Sequence, residues 1–206
     1  WNISSERNTL LALERSLENH FGFESDLRDY KGDLVISHDI ANEDSCSAES
    51  VFQLLQQYED RFCFAINIKS DGIGAMLARK LKAYHLNNYF CFDMSVPQMI
   101  EYAAQKIRFF TRKSEYEPGI PVLYSQAAGV WVDAFEDSSW ITEGLLREYL
   151  DDGKEVCIVS PDLHGKDPLE FWIRLKNIDL DTRKIYLCTD MPKKAENFFE
   201  ERLQNE

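Results

Sequence analysis

Glu24 and Asp26 stand two apart in the stretch Gly22–Arg28, which reads as a β-strand. Side chains alternate along a strand, so both carboxylates face one side. At that spacing they repel each other unless a proton or a cation lies between them. Oxygen donors of this kind favour Mg²⁺ or Ca²⁺ over softer metals. His38 follows the apolar run Leu34-Val35-Ile36. A hairpin turning about Gly32 would set it opposite Asp26, with Cβ atoms about 5 Å apart. Beside a carboxylate, a histidine can carry a proton to or from a reacting oxygen near neutral pH. Taken one at a time, each feature also has a plain reading, as one solvated strand face and one turn residue.

The elements that must hold these residues follow from the hydrophobic pattern. Leu10, Leu13 and Leu17 share a helical face, with Asn8 or Thr9 able to cap it and Gly22 beyond its end. The turn Lys31-Gly32-Asp33 separates two strands, Gly22–Arg28 and Leu34–Ser37. Strands and helices then alternate. Cys63–Lys69, Tyr89–Asp93, Ile107–Thr111, Val130–Asp133, Glu155–Ser160 and Ile185–Cys188 read as strands. Ala48–Glu59, Ile73–Leu86, Pro97–Gln105, Trp140–Leu150, Pro168–Lys176 and Pro192–Leu203 read as helices. Pro97, Pro168 and Pro192 sit where a first helical turn tolerates proline, and Asp167 can cap the helix it precedes.

This alternation predicts an α/β protein with a TIM-like (β/α)₈ barrel. Leaving Leu34–Ser37 aside as a hairpin arm, it supplies seven strands, and the first helix has no strand before it. The expectation is one domain over residues 1–206 whose first barrel strand is missing from this chain. In such barrels chemistry sits at the carboxyl ends of the strands. Arg112, after Ile107–Thr111, could hold a phosphate bidentately, and His164 lies in the loop Ser160–Gly165. Trp131 and Trp172 read as packing residues.

Composition narrows the class. Acidic residues outnumber basic ones 36 to 23, a net charge of −13, which disfavours a general nucleic-acid partner. No apolar run reaches the length of a membrane span. The cysteines, five in number with no C-x-x-C pair, read as buried filler in a reducing cytosol.

Asn8-Thr9 before a helix, then Gly22-Phe23-Glu24-Ser25-Asp26, Lys31-Gly32-Asp33 and Val35-Ile36-Ser37-His38-Asp39 resemble the glycerophosphodiester phosphodiesterases. These belong to the phospholipase-C-like phosphodiesterase superfamily. Ile66-Asn67-Ile68-Lys69 resembles the family's E-x-K strand, and Thr189-Asp190-Met191-Pro192 its closing T-D-x-P. The resemblance implies a barrel that hydrolyses a small phosphodiester, with a glycan- or lipid-linked substrate in a divergent member such as this. It implies Mg²⁺ or Ca²⁺ held by Glu24, Asp26 and Asn67, a catalytic His38, Lys69 on the phosphate, and Asn8 near the substrate. Asn67 stands where the family carries a third acidic ligand, with Asp71 or Asp93 as compensating carboxylates. The family's first-strand His-Arg pair is absent from this chain, and Arg7 replaces a glutamate. These departures support a second expectation: a catalytically inactive barrel that binds a phosphorylated ligand or a protein partner.

Overall fold

The computed structural model describes residues 6–200. These fall into two compact units, one ending at Phe110 and the other beginning at Thr111.

The first unit opens with α1 (Leu10–Glu18), whose N-cap Thr9 accepts the Ala12 amide on its side chain. Leu13 and Leu17 of α1 are buried. Then come β1 (Phe23–Tyr30), β2 (Asp33–Ile36), β3 (Cys46–Ser47), α2 (Ala48–Gln57), β4 (Phe64–Ile68), α3 (Gly74–Ala83), β5 (Tyr89–Phe92) and α4 (Val96–Gln105). Ser47 and Ser95 cap α2 and α4, and Pro97 occupies the first turn of α4. The sheet order is β3-β2-β1-β4-β5, with β1, β4 and β5 parallel and β2 antiparallel to β1. Glu24 pairs with Ala65 and Asp26 with Asn67, so these four residues share one sheet face. Ser25, Leu27, Ile66 and Ile68 occupy the opposite face and are buried.

Gly22 is fixed by space. A Cβ there would lie 2.5 Å from the Cys63 carbonyl oxygen, which accepts the Phe23 amide. Backbone cannot swing aside as a flexible side chain can. Gly22→Ala is therefore expected to lose about 1–3 kcal/mol of stability. Urea titration checks this, and an unchanged midpoint would refute it.

The second unit begins within β6 (Phe110–Lys113). It continues with β7 (Gly129–Val132), α5 (Glu143–Asp151), β8 (Glu155–Val159), α6 (Leu169–Lys176), β9 (Ile185–Cys188) and α7 (Pro192–Glu200). Its sheet order is β6-β7-β8-β9, with β7, β8 and β9 parallel. Val130, Val132, Val156 and Ile158 pack with Leu146, Tyr149, Phe171 and Trp172 into a buried core. Each unit thus has the strand–helix alternation of TIM-barrel-like proteins.

Three expectations are corrected. The hairpin turn is the two-residue Lys31-Gly32, both in the left-handed region (φ 50° and 86°), rather than three residues centred on Gly32. Leu27 therefore pairs with Ile36, the Ser37 amide donates to the Asp26 carbonyl, and His38 does not face Asp26. One residue of slip changes which residue lies opposite. The strand expected at Ile107–Thr111 begins at Phe110, since left-handed Lys106 ends α4 and only Phe109 bridges to Cys91 before it. The helix expected from Trp140 starts at Glu143, because Ser138–Trp140 form a 3-10 turn and Thr142 is the cap. The last residues of the helix expected over Pro192–Leu203 lie outside the described residues.

Candidate functional site

The E-x-D face of β1 gathers the expected residues of the first unit. Asn8 has a left-handed backbone (φ 58°), which asparagine tolerates, and its side chain reaches β1. Its Nδ2 donates to Asp26 Oδ2 at 2.9 Å, and its Oδ1 accepts the Ser25 hydroxyl. Lys69, just past β4, places Nζ 3.2 Å from Asp26 Oδ1, and its own amide donates to the Leu27 carbonyl. Asp26 and Asn67 are both buried. Asn8, Glu24, Asp26, Asn67 and Lys69 are thus brought together by two parallel strands and the residue before the α1 cap.

The electrostatics of this cluster are unbalanced. Glu24 keeps some exposure, yet its carboxyl is pushed up to about 8. Burial is the main cause and the Asp26 charge the next; Lys69 and the Asn67 amide pull the other way, and Asp93 adds to the rise. Of the two carboxylates considered as supplementary ligands, Asp93 therefore acts on Glu24. Asp71 instead accepts the Ser95 hydroxyl at 2.7 Å. Asn67 Oδ1 is buried with no hydrogen-bond partner among the described residues, an arrangement that is costly unless something completes it.

A hard dication fits these features. Two carboxyl groups and one amide carbonyl are oxygen donors, and a positive partner would satisfy the free carbonyl oxygen and favour the Glu24 charge that burial and Asp26 oppose. Among the described residues no three His, Cys, Asp or Glu side chains group as a metal site, so any such set depends on the Asn67 amide.

The raised Glu24 pKa has a stability consequence. Between the ordinary carboxyl range and about 8, the folded chain binds a proton here that the unfolded chain does not. The metal-free protein is therefore expected to lose stability as pH rises through that window. Glu24→Gln removes the titration and should flatten the slope. Thermal melts in EDTA from pH 5 to 9 test this, and parallel curves for the two proteins would disprove it.

The other expected residues have partners of their own. The His38 side chain is 68% exposed and its Nδ1 lies 2.9 Å from Asp39 Oδ1. Arg28 donates to the His38 and Asp39 carbonyls, fixing that loop. Arg112 and His164 belong to the second unit. The Arg112 guanidinium donates to Glu117 at 2.9 Å, and Glu117 also accepts the Ser114 hydroxyl. His164 Nε2 lies 2.7 Å from Asp133 Oδ1. That pairing has no sequence signal, because strand and turn meet only through the fold. Trp131 and Trp172 are buried, as packing residues should be.

No family model and no curated protein sequence matches the chain. Solved structures do match its fold. A glycerophosphodiester phosphodiesterase from Agrobacterium tumefaciens str. C58 aligns at 16% identity with a TM-score of 0.58, covering 87% of this chain and 89% of that one. An Oleispira antarctica phosphodiesterase in complex with the product sn-glycerol-3-phosphate aligns at 14% identity and TM-score 0.68, covering 96% and 93%. A tryptophan synthase complex from Pyrococcus furiosus aligns at 13% identity and TM-score 0.52, covering 96% and 89%. At such identities the likeness establishes the fold, and the third match shows that this fold also hosts unrelated chemistry.

Proposed function

We propose that this protein hydrolyses a phosphoric diester with the help of Mg²⁺ or Ca²⁺, on a TIM-type barrel. The observation that carries the proposal is the Glu24–Asp26–Asn67–Lys69 cluster, with its unpartnered Asn67 oxygen and a glutamate whose charge burial and Asp26 disfavour. Glu24, Asp26 and Asn67 would hold the cation, which when bound supplies Lewis-acid stabilisation to the phosphoryl oxygens. Lys69 would hold a phosphate oxygen and offset the charge that develops on it. Asn8 keeps the Asp26 carboxylate turned toward the site, and His38 would take the proton of the attacking water. Arg112, within β6, and His164, in the turn after β8, are proposed as substrate contacts of the second unit.

The fold likeness to two phosphodiesterases, one holding sn-glycerol-3-phosphate, supports a substrate with a glycerol-phosphate or related sugar- or lipid-linked diester. No described helix is long and apolar enough to cross a membrane. No disulfide joins the described cysteines, which suits a reducing compartment such as the cytosol.

A second reading has its own observation. Both Asp26 oxygens already carry donors, and His38 rests against Asp39 at the surface. A self-satisfied site of this kind suits a module that binds a phosphorylated ligand without turnover. One experiment separates the two. Glycerophosphodiesters and bis(p-nitrophenyl) phosphate are incubated with the protein in Mg²⁺, in Ca²⁺ and in EDTA. Cleavage that stops in EDTA supports the hydrolase. Calorimetric binding of sn-glycerol 3-phosphate with no cleavage supports the binding module, and cleavage that persists in EDTA defeats the metal-dependent mechanism.

A further inference from the structure

Lys69 stands where a cation ligated by Asp26 would compete with it. Its Nζ lies 3.2 Å from Asp26 Oδ1, and Asn8 Nδ2 donates to the other oxygen, Oδ2, at 2.9 Å. A carboxylate offers about four lone-pair sites, so a neutral donor such as the Asn8 amide can share an oxygen with an ion. An ammonium cannot share in the same way, because two positive charges a few ångströms apart repel strongly where water is excluded. Asp26 is buried, so little solvent lies there to screen them. To contact a phosphate as well, Lys69 would have to leave this carboxylate.

The frame around Lys69 permits that exchange. Its amide donates to the Leu27 carbonyl, which pins its backbone just past β4. Its side chain is 23% exposed, and the ammonium sits at the end of a flexible four-carbon stem. The charges set when the exchange is favourable. Across the β1–β4 ladder the residue paired with Asp26 is the neutral Asn67. Asn67 is 9% exposed, hydrogen-bonds Glu24, and leaves its buried Oδ1 without a partner among the described residues. That oxygen can coordinate a hard cation, yet it adds no charge to oppose the ammonium. A dication taking Asp26 would therefore strand Lys69 without a counter-charge. A phosphate oxygen supplies one, through a charge-assisted hydrogen bond.

We propose that a divalent cation and a phosphate ester bind this site as a linked pair, with Lys69 exchanging Asp26 for a phosphate oxygen. This rests on the cation reading above. Asn67 is the residue that makes the linkage strong, because a third carboxylate in its place would hold the ion without help from the ester. Each ligand raises the affinity for the other by one and the same factor.

Calorimetry on the whole chain tests the linkage. Ca²⁺ and Mg²⁺ are titrated with and without saturating sn-glycerol 3-phosphate, and titrations of ion into ester alone are subtracted. The ester should tighten cation binding about 10-fold or more, and the cation should tighten ester binding equally. Lys69→Met should bind the cation alone about 5-fold tighter than wild type, with the linkage reduced below about 3-fold. Lys69→Gln retains a donor for Asp26 and loses the charge, so it gives the same comparison if the methionine variant does not fold. Asn67→Asp should bind the cation alone about 10-fold tighter or more. Linkage below about 2-fold in the wild type overturns the exchange while leaving cation binding in place. Undiminished linkage or weaker cation binding in the lysine variants does the same, as does an Asn67→Asp variant that gains no affinity. A protein that takes up neither ion, with or without the ester, removes the cation reading itself, and the exchange falls with it.

Discussion

Asp26→Asn is expected to reduce metal-dependent hydrolysis about 1,000-fold while leaving the fold intact. The substitution keeps the shape of the side chain and removes its charge. A bound cation contributes several kcal/mol of transition-state stabilisation, and each factor of ten in rate corresponds to about 1.4 kcal/mol. Asp26 is central because it contacts both Asn8, just before the α1 cap, and Lys69, just past β4. Asn8 Nδ2 and Lys69 Nζ would then compete for one carbonyl oxygen in place of two carboxylate oxygens. The lost charge-assisted hydrogen bond should cost about 2 kcal/mol of stability, a penalty most domains survive. The readouts are kcat/KM on a glycerophosphodiester at saturating Mg²⁺ and the calorimetric affinity for the ion. A variant within tenfold of wild type, with its metal requirement unchanged, would show that Asp26 is no ligand.

The largest effect on stability is expected from Trp172→Ala. Trp172 is 1% exposed, lies 5.7 Å from the Phe198 ring and 6.1 Å from the Phe199 ring, and donates its indole N–H to Ser160 Oγ at 2.9 Å. Removing a buried tryptophan leaves a cavity and costs about 3–5 kcal/mol. In a protein of this size that corresponds to a melting temperature roughly 10 °C lower. Trp172→Phe keeps most of the packing and loses the hydrogen bond, so about 1–2 kcal/mol is expected. Both values come from thermal melts at one pH. A Trp172→Ala variant within 1 kcal/mol of wild type would mean that this core is not the main prop of its unit.

What could be read from the chain beforehand tracks the range of the interactions involved. Glu24 and Asp26 facing one side follows from the two-residue period of a strand, and β1 delivers it. The run of strands and helices was legible because Val, Ile, Phe and Leu cluster at those periods and Ser, Thr and Pro punctuate them. His38 opposite Asp26 failed because hairpin register hangs on turn type. Lys31 was not an evident left-handed residue, and only its φ shows that Lys31-Gly32 form the whole turn. The start of β6 failed in a similar way. Lys106 takes the left-handed cap position usually given to glycine, so Ile107 and Arg108 lie in the connection before the strand. The Asp133–His164 contact is a matter of tertiary structure alone, joining the end of one strand to the turn after the next.

The placement of β1 also bears on the order in which the candidate site assembles. Its antiparallel neighbour β2 joins through a two-residue turn, so that pairing closes a very short loop. Its parallel neighbour β4 returns only after β3 and α2 have been made. Closure entropy grows by about 0.6 kcal/mol for each doubling of loop length. The hairpin can therefore form within microseconds of the chain being released, and the crossover pairing follows later. Glu24 and Asp26 ride on the early strand, Asn67 and Lys69 on the late one. The carboxylates are thus in place before the amide and the ammonium arrive, and closing the β1–β4 ladder is the step that turns a strand face into a site.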